Sequence, residues 1–186
     1  MKKVFLIHGF EGRPNGGWRP WLMGELEKMD IYACALPMPY PDTPILSEWL
    51  NEINIHIKEN PNDEIYLVGH SLGGTAILRY IENNNCSNIK GAVIVSSPCN
   101  KNDNEKIEEF LKEKFNWSLI KNKISKITVI HGDDDPLVPV SDAEEIAKEL
   151  NGELILIPKG KHLNGGAGFT KLPEILTVLS KNFLSL

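Results

Sequence analysis

The run Glu64-Ile65-Tyr66-Leu67-Val68 leads directly into Gly69-His70-Ser71-Leu72-Gly73-Gly74, and a helical pattern continues from Thr75 to Glu82. A serine with glycines two positions away on each side, at a turn from strand to helix, has the form of a nucleophile elbow. The turn is sharp enough to hold the serine in a strained backbone conformation. Gly69 and Gly73 let strand and helix pass close together without a side-chain clash. The Ser71 hydroxyl then stands above the sheet edge, and the Leu72 N–H points toward the same spot. The stretch implies an α/β fold with a nucleophilic serine.

Outward from this turn, six short apolar runs read as strands: Lys3–Ile7, Ile31–Leu36, Glu64–Val68, Gly91–Ser96, Ile127–His131 and Glu153–Ile157. They lack clean alternation, as expected for strands covered on both faces. Helical patterns at Trp18–Met29, Ile45–Glu59, Leu72–Glu82, Asn104–Phe115, Ser141–Leu150 and Leu172–Phe183 alternate with them. Such alternation implies a parallel sheet with right-handed crossovers. Ser141-Asp142-Ala143-Glu144 reads as a capping box. Gly152 reads as the left-handed residue past that helix, and Pro173 as a first-turn proline. No linker or second-domain boundary is apparent, so residues 1–186 are expected to form one domain.

The formal net charge is −5 and lysines and arginines are scattered, which argues against nucleic acid as a partner. The opening apolar run stops at His8-Gly9, so it reads as a strand and not as a signal peptide. No segment approaches the ~20 apolar residues that span a bilayer. Cys34, Cys86 and Cys99 form no C-x-x-C pair or metal spacing. Each reads as a small buried hydrophobe in a reduced, cytosolic protein.

The polar clusters His8-Gly9-Phe10, Ser71, His131-Gly132-Asp133-Asp134-Asp135 and Lys161-His162 each follow the carboxyl end of a strand. Open α/β sheets bind ligands at that edge, so the four loops should converge. A serine hydroxyl needs a base to take its proton and a third group to orient that base. Elbow enzymes place the acid and then the histidine after the serine, which selects His162 over His131. The acid comes from Asp133, Asp134 or Asp135, and residue type does not choose among them. For Asp133 and Asp134 a solvated acidic turn is the simpler reading. Two backbone donors should hold an oxyanion: Leu72 N–H and the N–H of Phe10 in the loop after the first strand.

The Gly9–Gly17 stretch matches neither dinucleotide nor P-loop spacing, and the His131–aspartate cluster lacks regular metal-ligand spacing. No cofactor or metal is therefore expected. His70 is expected to point away from the site and His56 toward solvent. Trp18, Trp21 and Trp49 are expected in the core or in helix-to-sheet packing, and Trp117 either lining the entrance or, the simpler reading, in local packing.

The whole chain resembles the small α/β hydrolases of the retinoblastoma-binding protein 9 and YdeN type. The resemblance rests on Val4-Phe5-Leu6-Ile7-His8-Gly9, Leu36-Pro37-Met38-Pro39-Tyr40-Pro41 with Glu48-Trp49, and the elbow. It continues through Gly132-x-x-Asp135-x-x-Val138-Pro139, Gly160-Lys161-His162-Leu163-Asn164 and the tail Ala167–Pro173. It implies that the acid is Asp135. It also implies a minimal three-layer α/β hydrolase fold, with strand order 2-1-3-4-5-6 and helices on both faces. The segment Pro98–Lys126 is short for a large lid, so an open site with a small helical flap is expected. The implied activity is that of a serine hydrolase acting on small esters or amides through Ser71, His162 and Asp135. Peptidase, lipase and thioesterase variants stay open. So does a protein-binding or scaffolding role on a hydrolase fold, since fold does not fix function.

Overall fold

A computed structural model describes residues 1–85 and 87–183. Cys86, expected as a buried hydrophobe, lies outside them. The strands are β1 (Lys2–Ile7), β2 (Tyr32–Ala35), β3 (Glu64–His70), β4 (Ile89–Val95), β5 (Ile127–Gly132) and β6 (Glu153–Ile157). They form one parallel sheet in the order β2-β1-β3-β4-β5-β6. The helices are α1 (Arg19–Glu27), α2 (Leu46–Lys58), α3 (Leu72–Asn83), α4 (Glu108–Leu111), α5 (Trp117–Lys123), α6 (Val140–Leu150) and α7 (Pro173–Val178).

Side chains alternate between the two faces of each strand. Phe5, Ile7, Ile65, Leu67, Ala92, Ile94 and Val129 pack with Trp49, Ile53, Ile77, Tyr80, Phe110 and Ile146 under α2 to α6. Val4, Leu6, Tyr66, Val68, Val93, Val95 and Ile130 pack with Trp18, Leu22, Leu26, Ile175 and Val178 under α1 and α7. Two apolar faces on one set of strands explain why the runs lack alternation. The result is the three-layer arrangement expected from the resemblance.

The strand order reverses at β1, which pairs in parallel with β2 on one side and β3 on the other. Such a switch point opens a crevice at the carboxyl ends of the strands. The register sets Ile7 beside Gly69, so the loop after β1 lies next to the Ser71 turn.

Several local expectations change. The helix expected over Asn104–Phe115 is a 3₁₀ turn at Glu105–Ile107 and the short α4. Buried Arg79 donates to the carbonyls of Phe110 and Glu113, and its guanidinium lies 3.7 Å from the Phe115 ring centroid. Those contacts hold the chain out of helix after Leu111. The helix α5, absent from the sequence reading, then follows, capped by Asn116, whose side chain accepts from Leu119 N–H at 3.1 Å. The capping box at Ser141 does not form, because α6 begins one residue earlier from extended Pro139. Its Asp142 turns inward and accepts from the N–H groups of Cys99 (2.9 Å) and Asn100 (3.2 Å). The left-handed residue ending α6 is Asn151 (φ 51°), not Gly152. Pro173 does open α7, which passes into a π turn at Leu179–Phe183.

Asp142→Ala would leave the buried Cys99 N–H after β4 without an acceptor, a loss of about 1–3 kcal/mol. Urea unfolding should show a lower midpoint with an unchanged slope.

Candidate active site

Ser71 adopts φ 55° and ψ −127° between β3 and α3. That backbone conformation costs a non-glycine residue of order 1–3 kcal/mol, and the surroundings enforce it. A Cβ on Gly69 would lie 2.5 Å from Gly74 Cα, and one on Gly73 would lie 2.3 Å from Ile7 O. Strand, helix and the end of β1 thus pass at backbone contact, and no side chain fits at either glycine. Gly9 is equally confined: its Cβ would stand 2.7 Å from Ser71 Cβ.

The acid loop and the histidine loop are tied together. His162 Nδ1 donates to Asp135 Oδ2 at 2.8 Å, and the Asp135 side chain is fully buried. Asp135 Oδ1 accepts from the N–H groups of Leu137 (2.9 Å) and Val138 (3.1 Å). Burial alone would raise the Asp135 pKa. The hydrogen bond and charge of His162, with the Leu137 and Val138 N–H groups, outweigh it and hold the carboxyl below its ordinary value. With Nδ1 committed to Asp135, Nε2 is the His162 nitrogen left to act on a hydroxyl.

Asp133 and Asp134, expected as a solvated turn, do more than that. Asp133 Oδ1 accepts from Lys159 N–H at 2.7 Å, and Asp134 Oδ1 from Lys161 N–H at 2.6 Å. A Cβ on Gly132 would meet Lys161 O at 2.1 Å. These contacts brace a histidine loop in which Lys159, Lys161 and Leu163 all have positive φ. Trp18, a core residue as expected, also donates from Nε1 to Leu163 O at 2.9 Å.

Ser71, His162, Phe10 and Leu72 line one cavity of about 760 Å³, with Pro136, Leu137 and Val138 from the acid loop and Asn102–Asn104 from the segment after β4. The four expected loops therefore do converge. In the β1 loop, Glu11 N–H donates to Pro41 O and Gly12 N–H to Gly9 O. The Phe10 N–H just before them meets no acceptor among the described residues.

His70 does not point away from the site. β3 continues through it, paired with Val95, and its Nε2 donates to His162 O at 2.9 Å. The two imidazoles lie 5.0 Å apart, and His70 lines the cavity. Burial, reinforced by the charge of His162, lowers its pKa to about 3. The rejected alternative, His131, is buried with Nε2 donating to Val138 O at 3.0 Å. Half-buried His56 contacts Glu52 and the Phe5 ring rather than facing solvent. Trp49 is buried, and Trp117 stacks on Phe115 away from the cavity.

A strained serine at a strand-to-helix turn, above a parallel sheet with this strand order, defines the class of α/β hydrolases. The chain belongs to the serine hydrolase family, whose pattern matches residues 4–181. It is 32% identical over 184 residues to the hydrolase YdeN of Bacillus subtilis (strain 168), covering 98% of this chain and 96% of that protein. The serine hydrolase RBBP9 of Rattus norvegicus is 27% identical over 168 residues, covering 88% and 84%. The crystal structure of the B. subtilis ydeN gene product superposes over 100% of both chains, with a TM-score of 0.92 and 31% identity. Est1E from Butyrivibrio proteoclasticus, at 18% identity and TM-score 0.74 over 99% of this chain and 87% of that one, shares the fold.

The buried His70 is neutral in the fold, but takes a proton once unfolded below pH ~6.5. The unfolded chain then binds more protons, so this contribution to stability is complete above pH ~6.5. It is lost as pH falls toward the folded value of about 3. His70→Gln, which keeps a donor for His162 O, should flatten the fall in melting temperature between pH 6.5 and 3.

Proposed function

We propose that the chain is a carboxylesterase-type serine hydrolase, working from residues 1–186 as one domain without a large cap. The observation that carries this reading is the buried Asp135 holding His162 in the cavity that also exposes the strained Ser71. Ser71 attacks the acyl carbon of a small ester while His162 Nε2 takes its proton. Asp135 fixes the tautomer and stabilises the imidazolium. The N–H groups of Phe10 and Leu72 receive the negative charge that develops on the carbonyl oxygen. His162 then returns the proton to the leaving alcohol, and the acyl group stays on Ser71. A water, deprotonated by the same nitrogen, cleaves the acyl-enzyme and regenerates the hydroxyl.

The segment after β4 supports an open site. It contributes a 3₁₀ turn and the short helices α4 and α5, and Asn102, Asp103, Asn104 and Ile107 form one cavity wall. Esters of modest size fit this geometry. Amides and thioesters share the acyl chemistry and belong to the same substrate panel. Among the described residues no helix is long and apolar enough to cross a membrane.

Ser71→Ala should abolish both turnover of p-nitrophenyl esters and labelling by a fluorophosphonate probe. Undiminished labelling overturns the assignment of the nucleophile. Absence of turnover and labelling in the parent protein would instead favour a binding role for the fold.

Asp135→Asn keeps the shape but presents the wrong tautomer to His162. A fall in kcat of roughly 10⁴-fold is expected, as for the equivalent change in the Ser-His-Asp template. Steady-state kinetics on one p-nitrophenyl ester measures it.

A further inference from the structure

The cavity wall contains a buried cation without a counter-charge. Of the three arginines, Arg13 pairs with Asp42 and Arg79 with Glu82. Arg19, at the start of α1, is 5% exposed and pairs with no carboxylate among the described residues. Its Nη2 donates to Arg13 O at 2.8 Å. Its Nε is buried with no partner. No described residue bonds to Nη1. The Trp18 ring lies 5.7 Å from the guanidinium carbon, and a Cβ on Gly16 would stand 2.9 Å from Nη2. The loop after β1 is therefore wrapped around one end of the guanidinium, while the residue lines the cavity that holds Ser71 and His162.

A buried guanidinium that lacks an anion is costly to maintain by itself. Burial lowers its pKa only to about 10, so it stays charged at neutral pH. Its field reaches the site. Burial is the larger cause of the lowered pKa of His8 and His70, and the Arg19 charge adds to it in both. Glu11 and Asp103 also line the cavity, but both are exposed and neither neutralises Arg19.

We propose that Arg19 binds an anionic group, a carboxylate, carried by the substrate of this site; this rests on the serine hydrolase reading above. A guanidinium matches a carboxylate in geometry and charge. A monoanion balances the single unpaired cation. A phosphate dianion would add a second negative charge to a cavity that already has two carboxylates in its wall. A carboxylate on the acyl side and one on the alcohol side both meet this requirement, and the substrates below separate the two.

The test compares three esters: p-nitrophenyl hemiglutarate, with the charge on the acyl group; 4-(butyryloxy)benzoate, with the charge on the leaving group; and uncharged p-nitrophenyl pentanoate. For at least one charged ester, the ratio of its kcat/KM to that of the pentanoate should fall tenfold or more in Arg19→Gln. The change should lie mainly in KM, and Arg19→Lys should restore part of the ratio. Ratios that are the same in parent and Arg19→Gln protein overturn the proposal. If Arg19→Gln does not fold, protection of the parent Ser71 from a fluorophosphonate is compared for glutarate and uncharged glutaramide. Protection by glutarate alone supports the site, and equal or absent protection overturns it. If the parent neither labels nor turns over any ester, the serine hydrolase reading has failed. The anion site is then judged separately, by whether glutarate raises the melting temperature of the parent protein but not of Arg19→Gln.

Discussion

The close passage of three backbone segments at Ser71 governs the rest of this structure. The carboxyl end of β1, the carboxyl end of β3 and the first turn of α3 meet with no room for side chains at Gly69 and Gly73. This crossing fixes the positive φ of Ser71. It also places the Leu72 N–H, at the start of α3, beside the loop that carries Phe10. A helix start leaves its first N–H groups unpaired, so the turn that exposes the hydroxyl also supplies a donor near it. The strain at one residue, of order 1–3 kcal/mol, is small beside the two-sided burial of β3 and β4 that maintains it.

A second constraint operates across the sheet. β5 and β6 end side by side, and Gly132 lets the loop after β6 touch the end of β5 at backbone contact. Two aspartates hold the N–H groups of Lys159 and Lys161, while the third accepts from His162. The run of acidic residues is thus a clamp whose last carboxylate holds the His162 ring. Loops with three left-handed non-glycine residues are unfavourable by themselves. Here the aspartates hold the N–H groups of Lys159 and Lys161, and the Trp18 indole holds the carbonyl of Leu163.

The parallel sheet covered on both faces was legible because near-continuous apolar runs, separated by helical patterns, leave few alternatives to it, while the strand order came from the family likeness. The candidate site was legible at the level of loops, which line one cavity. Chain order singled out His162, and family likeness singled out Asp135. What sequence could not show was held by long-range contacts. Arg79 ends α4 through carbonyls more than thirty residues away, and Asp142 forgoes capping to serve donors after β4. His70 looked like a residue of the elbow's far side, but its extended pairing with β4 turns it onto His162. Arg19 carried no motif. Only its burial without an anion makes it conspicuous.

Burial keeps the other histidine of the cavity, His70, neutral; the charges of His162 and Arg19 add to it, and that of Asp135 opposes it. Asp135 supplies one fixed negative charge and Arg19 one fixed positive charge, and His162 is paired directly with the first. In the proposed mechanism His162 must become cationic as Ser71 attacks. A protonated His70, 5.0 Å away, would oppose that step by about 3 kcal/mol at an effective dielectric constant of about 20. That is roughly a hundredfold in rate. Burial of His70, with its Nε2–H committed to the His162 carbonyl, removes the penalty. The same hydrogen bond holds the backbone of His162 in place. The second imidazole therefore serves as a neutral brace, and the proton in transit has one ring to occupy.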